Sequence, residues 1–216
     1  MQEARQLGAY GEALTGGERK GNPLDDFELG NSPMEYSPEV VGGKTIVLTT
    51  SNGTRALHNA GEAAEILVGS FNNIDSVAEQ IVRSSNTGWV FACAGTSRGT
   101  AVTPEDVLFA GELARLLTGE TREEDKSLSL NTRDWELTGA AIVARGFALS
   151  CSRDLFNAIS SMPHAQRLKR MGKFGDVEYA SRRNITMTVP RAQQCMRCSD
   201  CSVVKPEEDR LCIRAD

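Results

Sequence analysis

Residues 45–57 read Thr45-Ile46-Val47-Leu48-Thr49-Thr50-Ser51-Asn52-Gly53-Thr54-Arg55-Ala56-Leu57. The run from Thr45 to Thr49 is all β-branched or apolar, the composition of a strand. From Thr50 to Arg55 the residues are polar or glycine, as a chain needs to turn out of a sheet. A helix is expected to open near Ala56. Strand, polar corner and helix form a βα unit, and the neighbouring sequence repeats that grammar.

Working outward, Ile66-Leu67-Val68-Gly69 reads as a strand ending in Ser70-Phe71-Asn72-Asn73, with a helix through about Arg83. Trp89-Val90-Phe91-Ala92-Cys93 reads as another, ending in Ala94-Gly95-Thr96-Ser97-Arg98-Gly99. The next helix carries a start signal: Thr103 to cap it, Pro104 for its first turn, and Glu105 and Asp106 against its positive end. It should run to about Leu117. Residues 118–131 are polar and read as a loop. Helices are expected at about 132–149, 152–160, 163–171 and 176–183, and a last strand at Ile185 to Val189. Toward the N-terminus, residues 2–14 suggest a short helix ending near Gly16-Gly17, and residues 18–43 a long loop, which is uncommon without a function. The fold class is therefore α/β, a largely parallel sheet flanked by helices.

The chain has 216 residues, enough for one well-buried domain. Its net charge of −5 argues against a non-specific nucleic-acid binder, which needs a basic face. The basic stretch Arg167, Lys169, Arg170 and Lys173 reads as one solvated helix face. No run approaches the length of a membrane span, and the first residues do not resemble a signal peptide, so the expectation is a cytoplasmic protein that does not enter membranes. Six cysteines then read as thiols or ligands rather than disulfides.

In open parallel sheets ligands bind beyond the carboxyl ends of the strands. The corners 50–55, 70–73 and 95–99 would converge on one such edge. Gly53 and Gly95 would let the backbone approach an oxyanion, and Arg55 or Arg98 would offer a fork of donors. The same residue types also cap ordinary βα turns, so the anion site and plain turn chemistry both stand at this point. Neither GxGxxG nor GxxxxGK spacing occurs, which weakens dinucleotide and ATP readings. His58 and His164 fall in helices without a Gly-x-Ser-x-Gly elbow, and read as surface or packing residues. Glu105 and Asp106 serve a helix dipole or a hard cation such as Mg²⁺. Cys93, with apolar neighbours, reads as a buried packing residue.

Several blocks together resemble one family. Gly17-Glu18-Arg19, then Phe27-Glu28-Leu29-Gly30-Asn31-Ser32-Pro33, then Thr49-Thr50-Ser51-Asn52-Gly53-Thr54-Arg55-Ala56-Leu57 are similar in sequence and order to ComB-type 2-phosphosulfolactate phosphatases. Gly69-Ser70-Phe71-Asn72-Asn73, Cys93-Ala94-Gly95, Glu105-Asp106 and Ser161 to Gly172 continue the likeness. The resemblance implies Mg²⁺-dependent hydrolysis of a small anionic phosphoester, 2-phosphosulfolactate, to sulfolactate and phosphate on the route to coenzyme M. It implies Asn31, Ser32, Asn52, Gly53, Thr54 and Asn72 as substrate-binding candidates. Glu18, Arg55 and Asp106 are the catalytic candidates, with Glu105 and Asp106 as Mg²⁺ ligands. Oligomeric state is left open, a homo-oligomer among the options.

Family members open on a strand and an Asp-x-x-Arg-Ala-Thr/Ser-Thr/Ser stretch that this sequence does not contain. Residues 1–190 are thus expected to be a ComB-like domain incomplete at its N-terminus, with 191–216 a cysteine-rich tail. There Cys195, Cys198, Cys201 and Cys212 could grip Zn²⁺ or an iron–sulfur cluster. The alternative to a phosphatase is a catalytically inert homologue that binds or assembles, using that tail.

Overall fold

The computed structural model describes residues 13–120, 134–151, 154–194 and the backbone of 211–214. It divides into two compact units, residues 1–66 with 192–212 and residues 67–191 with 213–216.

The first unit is built on β1 (Leu14–Arg19), which turns into the two-residue β2 (Asn22–Pro23). A loop then leads through a 3₁₀ turn at Pro33–Glu35 and the short α1 (Pro38–Val41) to β3 (Ile46–Thr49) and α2 (Gly53–Asn59). The sheet order is β2-β1-β3, with β1 antiparallel to β2 and parallel to β3 from Leu14 opposite Ile46 to Gly17 opposite Thr49. Leu29 makes a further parallel bridge with Gly16. A strand at Leu14–Arg19 replaces the helix end expected near Gly16-Gly17. The sequence LTGGER has little strand propensity, and the ladders on its edges supply what composition does not. The expected helix at residues 2–14 lies almost wholly outside the described residues.

The second unit is helical. It contains α3 (Ile74–Arg83), α4 (Pro104–Leu117), α5 (Gly139–Ser150), α6 (Leu155–Ser160), α7 (Pro163–Arg170) and α8 (Phe174–Ala180). Together with α1 and α2 these are the eight α-helices among the described residues. The short strands β4 (Ile66–Leu67), β5 (Arg191–Gln194) and β6 (Leu211–Arg214) span the points where the chain passes from one unit to the other. Helix α3 buries Ile74, Val77, Ala78 and Ile81, one stripe at helical spacing. Helix α4 is buried along nearly its whole second half, and Phe109 meets Phe71 edge-on with ring centroids 5.4 Å apart.

Helices α4 and α5 approach closely at Gly111. A Cβ there would overlap the Ala144 carbonyl and lie 2.9 Å from the Ala148 Cβ, so the crossing requires the missing side chain. Two buried charges sit on the same helix: Glu112 is 2% and Arg115 0% exposed. The Glu112 Oε2 accepts from Arg115 Nη2 and from Arg183 Nη1, each at 3.0 Å. Burial of such groups is tolerated only when they are paired and hydrogen-bonded. The trio ties α4 to the chain beyond α8.

The sheet is therefore smaller than expected. Among the described residues β1 pairs in parallel with β3 and, through a single bridge, with Leu29, and the molecule is a mixed α/β fold with small sheets. Trp89 to Cys93 and Ile185 to Val189 are not strands. Their composition suits a strand, but no ladder partner forms beside them among the described residues. For the same reason Cys93 is exposed rather than a covered core residue. Thr103 occupies the expected cap of α4 with extended backbone, and its carbonyl accepts from Val107 N–H, but its side chain makes no capping bond. No helix among the described residues is long and apolar enough to cross a membrane.

Candidate active site

Strand β1 organises the polar residues of the first unit. Parallel ladders send alternate N–H groups to opposite edges of a strand. Leu14 N–H donates to the Thr45 carbonyl on the β3 side, while Gly17 N–H reaches the carbonyls of Leu29 and Gly30 at 3.1 and 3.0 Å. Thr49 lies opposite Gly17 across the other edge. The Gly30-Asn31-Ser32 loop and the Thr49–Arg55 corner thus leave the two edges of β1 at one level.

Glu18, the next residue, is 8% exposed and fastens β1 to the corner. Its Oε1 accepts from Ser51 N–H at 2.6 Å and its Oε2 from Gly21 N–H at 2.8 Å. Burial alone would raise its pKa. The Gly21 and Ser51 donors and the neighbouring Arg19 charge outweigh that and hold the carboxyl below its ordinary value of 4.5. Arg19 donates to the Glu18 carbonyl at 2.9 Å and to Thr49 Oγ1 at 3.0 Å. In the corner, Thr50 Oγ1 accepts from Thr54 N–H at 3.1 Å, and the Thr54 hydroxyl donates back to the Thr50 carbonyl at 3.2 Å. Asn52 stands at the cap position, its carbonyl accepting from Arg55 and Ala56 N–H. Arg55 is exposed and makes no ion pair or hydrogen bond among the described residues.

Glu18, Asn31, Ser32, Asn52, Gly53, Thr54 and Arg55 therefore belong to one unit, four of them on one corner. Asn72, Glu105 and Asp106 belong to the second unit. Asn72 donates through Nδ2 to the carbonyls of Tyr179 and Arg182, at 3.0 and 2.8 Å, and its neighbour Asn73 donates to those of Val68 and Thr188. The amide donors of that corner hold backbone. Asp106 Oδ2 accepts from Gly95 N–H at 2.7 Å. The Cys93 thiol donates to the Asp106 carbonyl oxygen, and partial desolvation of this exposed residue together with the Asp106 charge pushes its pKa up. His58 and His164 are exposed helix residues.

Mg²⁺ is commonly held by one or two carboxylates with water and phosphate completing its shell. Glu105 and Asp106 fit that requirement in donor type. The Glu105 Oε2 is buried with no hydrogen-bond partner among the described residues, the kind of atom a hard cation satisfies. No cluster of three or more His, Cys, Asp or Glu among the described residues could hold an ion by itself. Cys195, Cys198, Cys201 and the Cys212 side chain lie outside the described residues.

Three contributors escape a reading of the sequence: Thr50 as the hydroxyl behind the corner, and Glu35 and Tyr36 beside the Asn31 loop. Glu35 Oε2 accepts from Gly30 N–H at 2.5 Å, and the Tyr36 hydroxyl donates to the Gly30 carbonyl at 2.7 Å. The signal that could have found them is the run of glycines at 16, 17 and 30, which marks backbone that something must approach.

A family model described as 2-phosphosulpholactate phosphatase matches residues 1–195. A Clostridium acetobutylicum protein named probable 2-phosphosulfolactate phosphatase is 33% identical over 188 residues, or 87% of this chain and 74% of that protein. One of the same name from Caldicellulosiruptor saccharolyticus is 33% identical over 189 residues, 85% of this chain and 73% of that protein. A third, from Caldanaerobacter subterraneus subsp. tengcongensis, is 42% identical over 116 residues, 54% of this chain and 47% of that protein. The Gly-Glu-Arg strand, the Gly-Asn-Ser-Pro loop and the corner after β3 all fall within the matched residues, and the chain belongs to the 2-phosphosulfolactate phosphatase family.

Proposed function

We propose that the chain is a Mg²⁺-dependent phosphatase that hydrolyses 2-phosphosulfolactate, or a related small anionic phosphoester, to sulfolactate and phosphate. The observation that carries this reading is the junction on β1. Ionised Glu18 and Arg19 brace the 49–55 corner from inside, and Arg55 is left exposed without a protein partner among the described residues. An arginine in that state suits a phosphate, which takes two parallel N–H bonds from its fork. The substrate named for the relatives carries phosphate, carboxylate and sulfonate on three carbons, so a guanidinium with amide and hydroxyl donors matches its chemistry.

In this reading Arg55, Asn31, Ser32, Asn52 and Thr54 bind and orient the polyanion, and Gly53 keeps the corner open. Glu18 acts through the backbone it holds, fixing Ser51 and so the start of α2. Glu105 and Asp106 are the carboxylates that would hold Mg²⁺. A Mg²⁺ ion there would supply the positive charge that polarises a phosphoryl group and offsets charge on its oxygens. The setting suits coenzyme M biosynthesis in a cytoplasmic enzyme on a ComB-type α/β scaffold.

The test is phosphate release from 2-phosphosulfolactate by wild type and Arg55→Ala. Loss of a bidentate contact to the reacting group should lower kcat/KM by roughly 100-fold, with Arg55→Lys recovering only part. Unchanged kcat/KM in Arg55→Ala would refute the role given to this side chain.

A further inference from the structure

The backbone that presents Asn31 is clamped on both faces by two residues that follow it within five positions. Gly30 N–H donates to Glu35 Oε2 at 2.5 Å, and the Gly30 carbonyl accepts from the Tyr36 hydroxyl at 2.7 Å. That carbonyl also takes the Gly17 N–H at 3.0 Å, so one peptide joins the loop, β1 and Tyr36. Space for the clamp is provided by two glycines. A Cβ on Gly16 would overlap the Tyr36 hydroxyl and lie 3.2 Å from its ring Cζ, and one on Gly30 would come 2.8 Å from Glu35 Oε1. On the far side, Ser32 Oγ accepts from Met34 N–H at 3.3 Å and starts the 3₁₀ turn at Pro33. Asn31 sits between these fixed points, exposed and without a hydrogen bond among the described residues.

A half-buried tyrosine and a carboxylate are both spent on the backbone of one glycine. Burial and the Glu35 charge also push the Tyr36 hydroxyl's pKa up, which keeps it protonated and donating across the neutral range. We propose that Glu35 and Tyr36 are positioning residues that aim Asn31 at the anionic substrate. This rests on the reading that Asn31 binds the phosphoester. Neither residue touches the substrate; each acts through the Gly30 backbone. Glu35 and Tyr36 hold the N–H and the C=O of Gly30, on the two peptide planes that flank its Cα, so removing either bond loosens one of those planes and shifts Asn31 off target.

The experiment measures 2-phosphosulfolactate hydrolysis by the full chain carrying Tyr36→Phe, Glu35→Ala, Glu35→Gln, Asn31→Ala, and Tyr36→Phe with Asn31→Ala. Loss of one neutral hydrogen bond should raise KM about fivefold in Tyr36→Phe with kcat kept. Glu35→Ala should behave likewise, while Glu35→Gln, which retains an acceptor, should stay within about twofold of wild type. In the Asn31→Ala background Tyr36→Phe should add less than about twofold, because a positioning residue has nothing left to position. A merely structural role would instead lower the melting temperature and act equally in both backgrounds. An unchanged KM in Tyr36→Phe, or effects that multiply fully in the double variant, would overturn the inference. An unchanged KM in Asn31→Ala would overturn the reading beneath it. If turnover is absent, the Kd of 2-phosphosulfolactate by calorimetry is read in place of KM against the same criteria.

Discussion

Glu18 shows how much one side chain can organise. It spends both oxygens on backbone donors from two different loops, and the more distant one, Ser51, is 33 positions away. Its folded pKa is lowered, so its contribution to stability is present above the unfolded value and fades as pH falls through the folded one. Replacing it with Gln leaves one of these N–H donors facing an amide instead of a carboxylate. Glu18→Gln should therefore destabilise by about 1–3 kcal/mol at pH 7. The gap from wild type should narrow toward pH 3, where wild-type Glu18 is losing its charge as well. Urea unfolding of both proteins at pH 7 and pH 3 checks this, and a gap that ignores pH would contradict it. The Gly-Glu-Arg run singled Glu18 out in the sequence, but nothing local to it named Ser51 as the partner. Charge and burial of a residue are legible in its neighbours; the far end of a long-range bond is not.

Elements divide between those fixed by local chemistry and those fixed by partners. Helices α3 and α4 and strand β3 lie where periodicity, proline and β-branching put them, because those signals are local. Strand β1 was hidden in glycines, and Trp89 to Cys93 looked like a strand yet is not one. Both errors have one cause: a strand exists by virtue of its ladder, and the ladder is non-local. The α4–α5 crossing offers a clean test of element packing. Gly111→Ala gains about 1 kcal/mol of helix propensity, but the added methyl meets the Ala144 backbone, which cannot move alone. Overpacking should win and leave the protein about 1–3 kcal/mol less stable. Gly146→Ala, on α5 with nothing within 4 Å of its Cβ, should be neutral or stabilising. Thermal melts of the two variants decide it; equal melting temperatures would show that the crossing is looser than its geometry.

For the whole molecule, the family was easier to read than the architecture. Asn31, Ser32 and Asn52 to Arg55 were legible as a polar set because turn chemistry and family blocks coincide there, and they do share a unit. A single extended parallel sheet was not legible, since three strand-like runs carry no information about which of them find a neighbour. In the first unit the exposed Arg55 suits an anion, and in the second the unpartnered Glu105 oxygen suits a cation. The most direct test is phosphate release from 2-phosphosulfolactate by the full chain, with Mg²⁺, with EDTA, and with Mg²⁺ restored. Release should be proportional to protein, abolished by chelation and recovered on adding the metal back. Release no faster than in Mg²⁺ buffer alone, or a rate indifferent to EDTA, would contradict the phosphatase reading.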